Sequence, residues 1–340
     1  MAFAVVLAGQ VLPGLAGSAM AAPIERTLCL FDPVGANGMV AQQFQDYLIW
    51  ARSKGVDFKL STYTDEGVVA KDLRARRCDA AGLTGIRTKQ FVDFAGSLDM
   101  VGGLQTYAQQ HTAIRVMASD KAADLMSEGP YTVAGVLPGG KVYLFSRDKG
   151  FLDSLEAAAG KKVAVIGYDK QASVVANVAG ASPVPASIAS FGPMFNNHSV
   201  DMAYAPAIAY EPLELYKGLG ESGGVADFVL GMLSLQMVVV SDRFSEDFAA
   251  ASRRYAVDEG WDRAIRLVKK ADRTIPDRYW VHINGQRETK YRRMLGDIRQ
   301  RLWDDAWYSH RMQHLLKKIR CDTDGALAEC STDAEGGSIR

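Results

Sequence analysis

The sequence predicts an α/β fold of two lobes with a helical C-terminal region. Three observations carry this: two separate runs of alternating strand-type and helix-type patterns, a strongly β segment that returns the chain after the second run, and an amphipathic remainder. At 340 residues the chain exceeds one small core and suits two lobes of ordinary size. Hydrophobic residues at 48% and charged residues at 23% give a globular composition, not a disordered one. Lys plus Arg and Asp plus Glu are 39 each, so the formal net charge is zero. Nucleic acid and anionic membrane both need a positive field, so neither is an expected partner.

Residues 1–22 carry no charged side chain and end in Ala19-Met20-Ala21-Ala22 before Pro23. This reads as an apolar h-region with an A-x-A cleavage site, a signal peptide too short and too Gly-broken to anchor a membrane. The basic n-region is missing, which we read as a start codon lying upstream. The longest later apolar stretch, 229–240, is interrupted by Ser234 and Gln236 and cannot span a bilayer. The mature chain is therefore expected in the periplasm without membrane insertion. Its four cysteines suggest two disulfides, though three pairings are open. Cys321 and Cys330 close a short loop, while Cys29 and Cys78 each begin a strand and meet if those strands are neighbours. CxxC-like spacing is absent, so no metal site is expected.

The elements follow in order. Residues 28–31 are an apolar strand, and the turn 32–38 leads into a helix with Val40, Phe44, Tyr47, Leu48 and Ala51 on one face, closing at Lys54-Gly55. Residues 56–62 alternate like a strand, Thr64-Asp65 starts a second helix, and 78–83 form a third strand. This β-α-β-α-β rhythm implies a parallel sheet, in which ligands sit beyond the carboxyl ends of the strands. Two strands, 131–137 and 141–146, are split by Pro138-Gly139-Gly140. A second α/β unit begins at Gly160 with a strand over 163–166. It continues with a helix bearing Val174, Val175 and Val178, a strand from Val184, a helix over 191–197 and a strand over 200–205. Residues 233–240 return to the first lobe. The region 245–320 is helical, with Tyr291, Met294, Leu295, Ile298 and Leu302 in one stripe.

Certain residues then become specific. Gly160-Lys161-Lys162-Val163-Ala164-Val165, Gly180-Ala181-Ser182-Pro183-Val184-Pro185 and Ser199-Val200-Asp201 resemble the "GxKIRVP", "GAxPVP" and "GxVD" segments of TRAP-transporter solute-binding subunits. Residues 29–38 and 83–87 resemble a narrower group, the AdeT-like solute-binding proteins, often labelled components of an RND-type drug-efflux pump. The resemblance runs from Thr27 to about Cys330. It implies a type II periplasmic binding fold that captures a small-molecule solute in an interlobe cleft for inner-membrane transporter subunits. It also implies departures. The arginine with which TRAP proteins clamp a carboxylate falls on Ala164, and a later asparagine falls on Ala205. A dicarboxylate or sialic acid is thus not the expected ligand.

Lobe I is placed at 26–140 with a return segment at 221–245, lobe II at 141–220, packing helices at 246–320, and a disulfide loop with a polar tail at 321–340. Ligand-contact candidates are Asn37 in the first turn, Thr84 and Arg87 after the third strand, and Tyr168 and Lys170 after the first strand of lobe II. Each has a plain alternative: Asn37 as a helix N-cap, Arg87 as a helix-start arginine facing water, Tyr168 to Lys170 as a polar turn and cap. His310 and His314 share a helix face read as solvated, and Lys317-Lys318-Ile319-Arg320 reads as helix C-terminal charge. No GxSxG, HExxH or P-loop occurs, so a protein that is not an enzyme is expected; no cofactor is expected, and the chain is taken as a monomer. The rivals are an RND-type efflux component and an exported hydrolase.

Overall fold

The computed structural model describes residues 22–339, so the expected leader lies, save Ala22, outside the described residues. Strand β1 (Ile24–Phe31) turns into helix α1 (Met39–Ser53), whose inward face is Val40, Ala41, Phe44, Tyr47 and Ala51. Gly55 ends that helix with a φ of +86°, a left-handed conformation that suits glycine. Strand β2 (Val56–Tyr63) leads to helix α2 (Glu66–Arg74), capped by Asp65, whose carboxylate accepts from the N–H groups of Gly67 and Val68. Strand β3 (Ala80–Thr84) is buried throughout. All three strands run parallel, with β1 central. That adjacency brings Cys29 and Cys78 together, and they form a disulfide with a Cα–Cα distance of 5.9 Å. Helices α3 (Gly85–Thr88), α4 (Asp93–Gly96) and α5 (Tyr107–Met117) follow, the last opened by a capping box between Thr106 and Gln109.

After a two-residue strand β4 (Ser127–Glu128) comes β5 (Tyr131–Ser146). The expected pair of strands is here one continuous strand. Pro138 and Gly140, the latter at φ +112°, sit where the pairing register shifts, and the break in pattern becomes a bulge instead of a turn. Lobe II is built from β6 (Lys162–Ile166), α6 (Lys170–Val178), β7 (Ser182–Ala186), α7 (Ile188–Asn196) and β8 (Met202–Pro206), its strands parallel to one another. Helix α6 is rotated from the expected face: Val178 is 45% exposed, while Ala176 is buried. Helix α8 (Leu215–Leu219) and strand β9 (Gly224–Ala226) lead to β10 (Gly231–Val240), which pairs antiparallel with both β3 and β5. Among the described residues one sheet thus runs β2-β1-β3-β10-β5-β8-β6-β7, and β5 and β10 are the strands that join the lobes. The two polar residues of β10 are absorbed locally. Ser234 donates from N and Oγ to Asp99, and Gln236 donates to the Ala95 carbonyl and to Ser234 Oγ.

Helices α9 (Glu246–Tyr255) and α10 (Trp261–Asp272), joined by a π turn at Ala256–Gly260, pack on β5. Strand β11 (Trp280–Val281) pairs with β9; helices α11 (Gly285–Asp304) and α12 (His310–Thr323) complete the chain's regular structure. The expected stripe on α11 is buried and includes Arg299. Of the two histidines on α12, His310 lies stacked on the Trp303 ring at 3.8 Å. The basic run on α12 is not simply terminal charge. Lys317 is fully buried and donates to the carbonyls of Thr332, Ala334 and Gly337, while Arg320 pairs with Glu329 and Glu335. These contacts, with the Cys321–Cys330 disulfide, dock a tail whose composition alone reads as merely polar.

A candidate binding cleft between the lobes

The carboxyl ends of β1, β3, β6 and β8 face one another across a cavity of about 160 Å³. Lobe I contributes Phe31 to Val34, Thr84 and Ile86; lobe II contributes Ile166, Tyr168, Asp169, Ala205 and the α7 side chains Ile188 and Phe191. Val142 of β5 and Leu233 and Leu235 of β10 form the floor, so the strands joining the lobes also touch the cavity. Among the described residues no lysine or arginine lines it.

The polar groups that reach the cleft are already occupied. Asp32, 1% exposed, accepts from the N–H of Val34 at 2.9 Å and of Ala41 at 3.0 Å. N–H groups that such a turn can offer to an anion are here taken by the chain's own carboxylate. The glycine at position 38 permits this, because a Cβ there would overlap the Asp32 carboxylate. Gly38, not Asn37, is the N-cap of α1. Asp169 caps α6 by accepting from Ala172 N–H at 3.1 Å and also accepts from the Tyr204 hydroxyl at 2.7 Å. Burial raises its pKa to about 6.

A second cavity, of about 100 Å³, lies behind the first, between the lobe II sheet and α6. Val142, Leu144, Val163, Met202 and Tyr204 line its sheet side; Ala172, Val175, Ala176 and Ala179 line its helix side. Tyr291 and Met294 of α11 close it.

The sequence candidates are distributed unevenly around this geometry. Thr84 lines the cleft and caps α3, its hydroxyl accepting from Arg87 N–H at 3.3 Å. Tyr168 lines the cleft as well. Arg87 stands outside the lining and stacks on Tyr168, its guanidinium carbon 3.3 Å from the ring centroid. Lobe I and lobe II thus touch directly through these two side chains. Glu66, fully buried, completes the contact: it accepts from Thr84 N–H at 2.6 Å and from the Tyr168 hydroxyl, and lies 3.7 Å from Arg87 Nε. Burial and the Glu66 carboxylate push the Tyr168 phenol well above its ordinary range. Lys170 does not reach the cleft; its ammonium lies 4.9 Å above the Trp307 ring and 3.5 Å from Asp305. Asn37 is exposed and outside the lining.

Residues 48–335 match the family described as solute-binding protein AdeT 1/2. The chain belongs to that family. The Acinetobacter baumannii protein named probable solute-binding protein AdeT1 is 35% identical over 306 residues, spanning 90% of this chain and 100% of that relative. Probable solute-binding protein AdeT2 of the same organism is 21% identical over 200 residues, spanning 59% of this chain and 83% of its own. Solved structures of TRAP periplasmic solute-binding proteins share the fold. The Haemophilus influenzae protein with bound L-gulonate has a TM-score of 0.70 at 10% identity, covering 87% of this chain and 98% of that one. The Chromohalobacter salexigens protein with bound D-glucuronate has a TM-score of 0.69 at 14% identity, covering 87% and 99%.

In this AdeT-family chain the two departures noted in the sequence part company. Ala205 lines the cleft, whereas Ala164, fully buried in β6, lies deeper on the same strand face as the cleft-lining Ile166 and is not itself part of the lining. Glu66 and Tyr204 were not singled out from sequence, Asp32 was read only as part of the first turn, and Asp169 only within the turn 168–170, where it is the helix cap. Glu66 looks there like an ordinary first-turn acid, and no local spacing betrays its partner a hundred residues away.

Asp99, which touches the second cavity, has its pKa raised to about 8 by burial. A raised carboxylate favours the folded state when protonated. Its stabilising contribution is therefore complete at acid pH, below about 4, and is lost as pH rises through about 8. Asp99→Asn should flatten the dependence of melting temperature on pH between about 5 and 8. An unchanged slope in calorimetric scans of the variant would reject this.

Proposed function

We propose that this AdeT-family chain captures a small solute between its lobes in the periplasm and presents it, as a monomer, to inner-membrane transporter subunits. The observation that carries the reading is the cavity at the strand ends of both lobes, floored by the strands that join them. Binding without chemical conversion fits the site, because the acids that reach the cleft are held by the protein's own N–H and O–H donors. No helix among the described residues is long and apolar enough to cross a membrane; in this reading a separate membrane partner carries the transport step.

The solute is not a simple carboxylate. Gulonate and glucuronate occupy the structurally similar proteins, but here no cation lines the cleft among the described residues. Losing a bidentate arginine contact removes about 1.5–3 kcal/mol, or roughly tenfold to a hundredfold in affinity. Titration calorimetry with succinate, gulonate and glucuronate should accordingly show no micromolar binding. Extraction of protein isolated from the periplasm, followed by mass spectrometry, tests the capture role itself. A stoichiometric small molecule that raises the melting temperature on re-addition is expected; turnover of that molecule would support the hydrolase instead.

A further inference from the structure

We propose that the second cavity is a tail site, so that the ligand is an uncharged molecule with a ring-sized head in the cleft and a short alkyl tail behind it. This rests on the capture reading above and names its ligand class. The two cavities share Ile86, Val142, Asp169, Tyr204 and Leu233, so they abut along one wall. The polar part of that wall is a single unit: Tyr204 donates to Asp169 and accepts from Ile166 N–H at 3.3 Å. Turning the Tyr204 ring joins the two spaces.

The cavity owes its existence to small side chains. Ala172 and Ala176 of α6 and Ala179 just after it present short side chains toward the sheet, where larger apolar residues would fill the space as they do in ordinary cores. The hollow is also continuous with the cleft wall and not isolated in the hydrophobic interior, as a simple packing defect would be. Its size sets the occupant. An apolar cavity of about 150 Å³ holds a benzene ring, which matches the cleft at about 160 Å³. The further 100 Å³ or so accepts a few methylenes.

Charge completes the argument. Among the described residues neither cavity is lined by lysine or arginine, and the ionisable side chains that line them are acids and tyrosines. An anionic head would enter beside Asp32 and Asp169 without a counter-charge, which low-dielectric surroundings penalise strongly. Asp32 and Asp169 already accept hydrogen bonds from within the chain, so they make little demand for a cationic head.

The test uses the full mature chain with both disulfides intact and a series of para-alkylphenols from cresol to hexylphenol, titrated calorimetrically. Each methylene that enters the tail site should raise affinity about fourfold until the space is full. The hexylphenol-to-cresol affinity ratio should therefore exceed tenfold. Ala176→Phe fills the cavity and should bring that ratio to about one; Ala179→Leu is the milder filler should the first variant not fold, as judged by circular dichroism. Cresol binding with no gain along the series, or a gain that survives both fillers, overturns the tail site and leaves capture in the cleft standing. A gain seen equally with hexanoate to dodecanoate overturns the uncharged ligand class. Failure of every phenol to bind overturns the tail site, and the mass-spectrometric extraction then decides the capture reading separately.

Discussion

Arg320→Ala is expected to lower the free energy of unfolding by about 3–5 kcal/mol, the usual cost of stranding a buried charge. Arg320 is 3% exposed and donates to Glu329 at 2.6 Å, to Glu335 at 2.8 Å and to the Gly103 carbonyl at 3.0 Å. Arg299 makes the matching set, to Glu335 at 2.8 Å, Glu329 at 2.5 Å and the Gly102 carbonyl at 3.0 Å. Two guanidinium groups and two carboxylates thus share one buried site between α11, α12, the tail and the loop after lobe I's short helices. Removing Arg320 leaves Glu335, itself 2% exposed, with only half its counter-charge. Urea unfolding measures the loss, and limited proteolysis should cut first within the released tail. Replacing Arg320 by Met together with Glu335 by Leu should recover part of the stability, because an apolar pair needs no desolvation of charge. A loss below about 1 kcal/mol for Arg320→Ala, the range of solvated pairs, would show that the quartet is hydrated in solution.

Arg87→Ala is expected to act on closure and little on folding. Arg87 and Glu66 belong to lobe I and Tyr168 to lobe II, so the stacked contact exists only while the lobes are together. Without the guanidinium, the closed form holds the fully buried Glu66 carboxylate against Tyr168 with no cation beside it. In an opened form water reaches that carboxylate, and the penalty disappears. Small-angle scattering should therefore show a larger radius of gyration for the ligand-free variant. Affinity for the solute recovered from the native protein should fall by roughly tenfold to a hundredfold, equivalent to about 1.4–2.8 kcal/mol. Arg87→Lys should not restore it, because an ammonium lacks the flat face that lies on the Tyr168 ring. A variant that melts several degrees lower but keeps its scattering profile and its affinity would make Arg87 a residue of lobe I's own stability, and the closure argument would fall.

Much of the architecture was legible in the chain. Periodic burial in α1 and α11, the turn glycine at 55 and the strand-type runs of both units were placed close to where they lie. Both disulfides followed from neighbouring strands and a short loop. The region 88–128 was not read: α4 is a single turn, too short for a period to register, and α5, although eleven residues long, was missed. Pro138-Gly139-Gly140 misled for a different reason: the same residues that end a strand also make a bulge, and only the partner strand decides between them.

By itself the sequence determined the α/β class and the two-unit plan, and it pointed to the two covalent cross-links. These are local properties, set by spacing and side-chain type. Only the tertiary structure decided that the N–H groups of the first turn are taken by Asp32, that Arg87 lies on Tyr168 across the lobes, and that Lys317 and Arg320 bury themselves in the tail. The Arg87–Tyr168 contact joins residues that no short window contains, and even the nearby partners of Asp32 meet it only because the turn folds back on itself. Whether a charged side chain meets water or a buried partner depends on which distant element packs over it, and that is fixed by the fold as a whole.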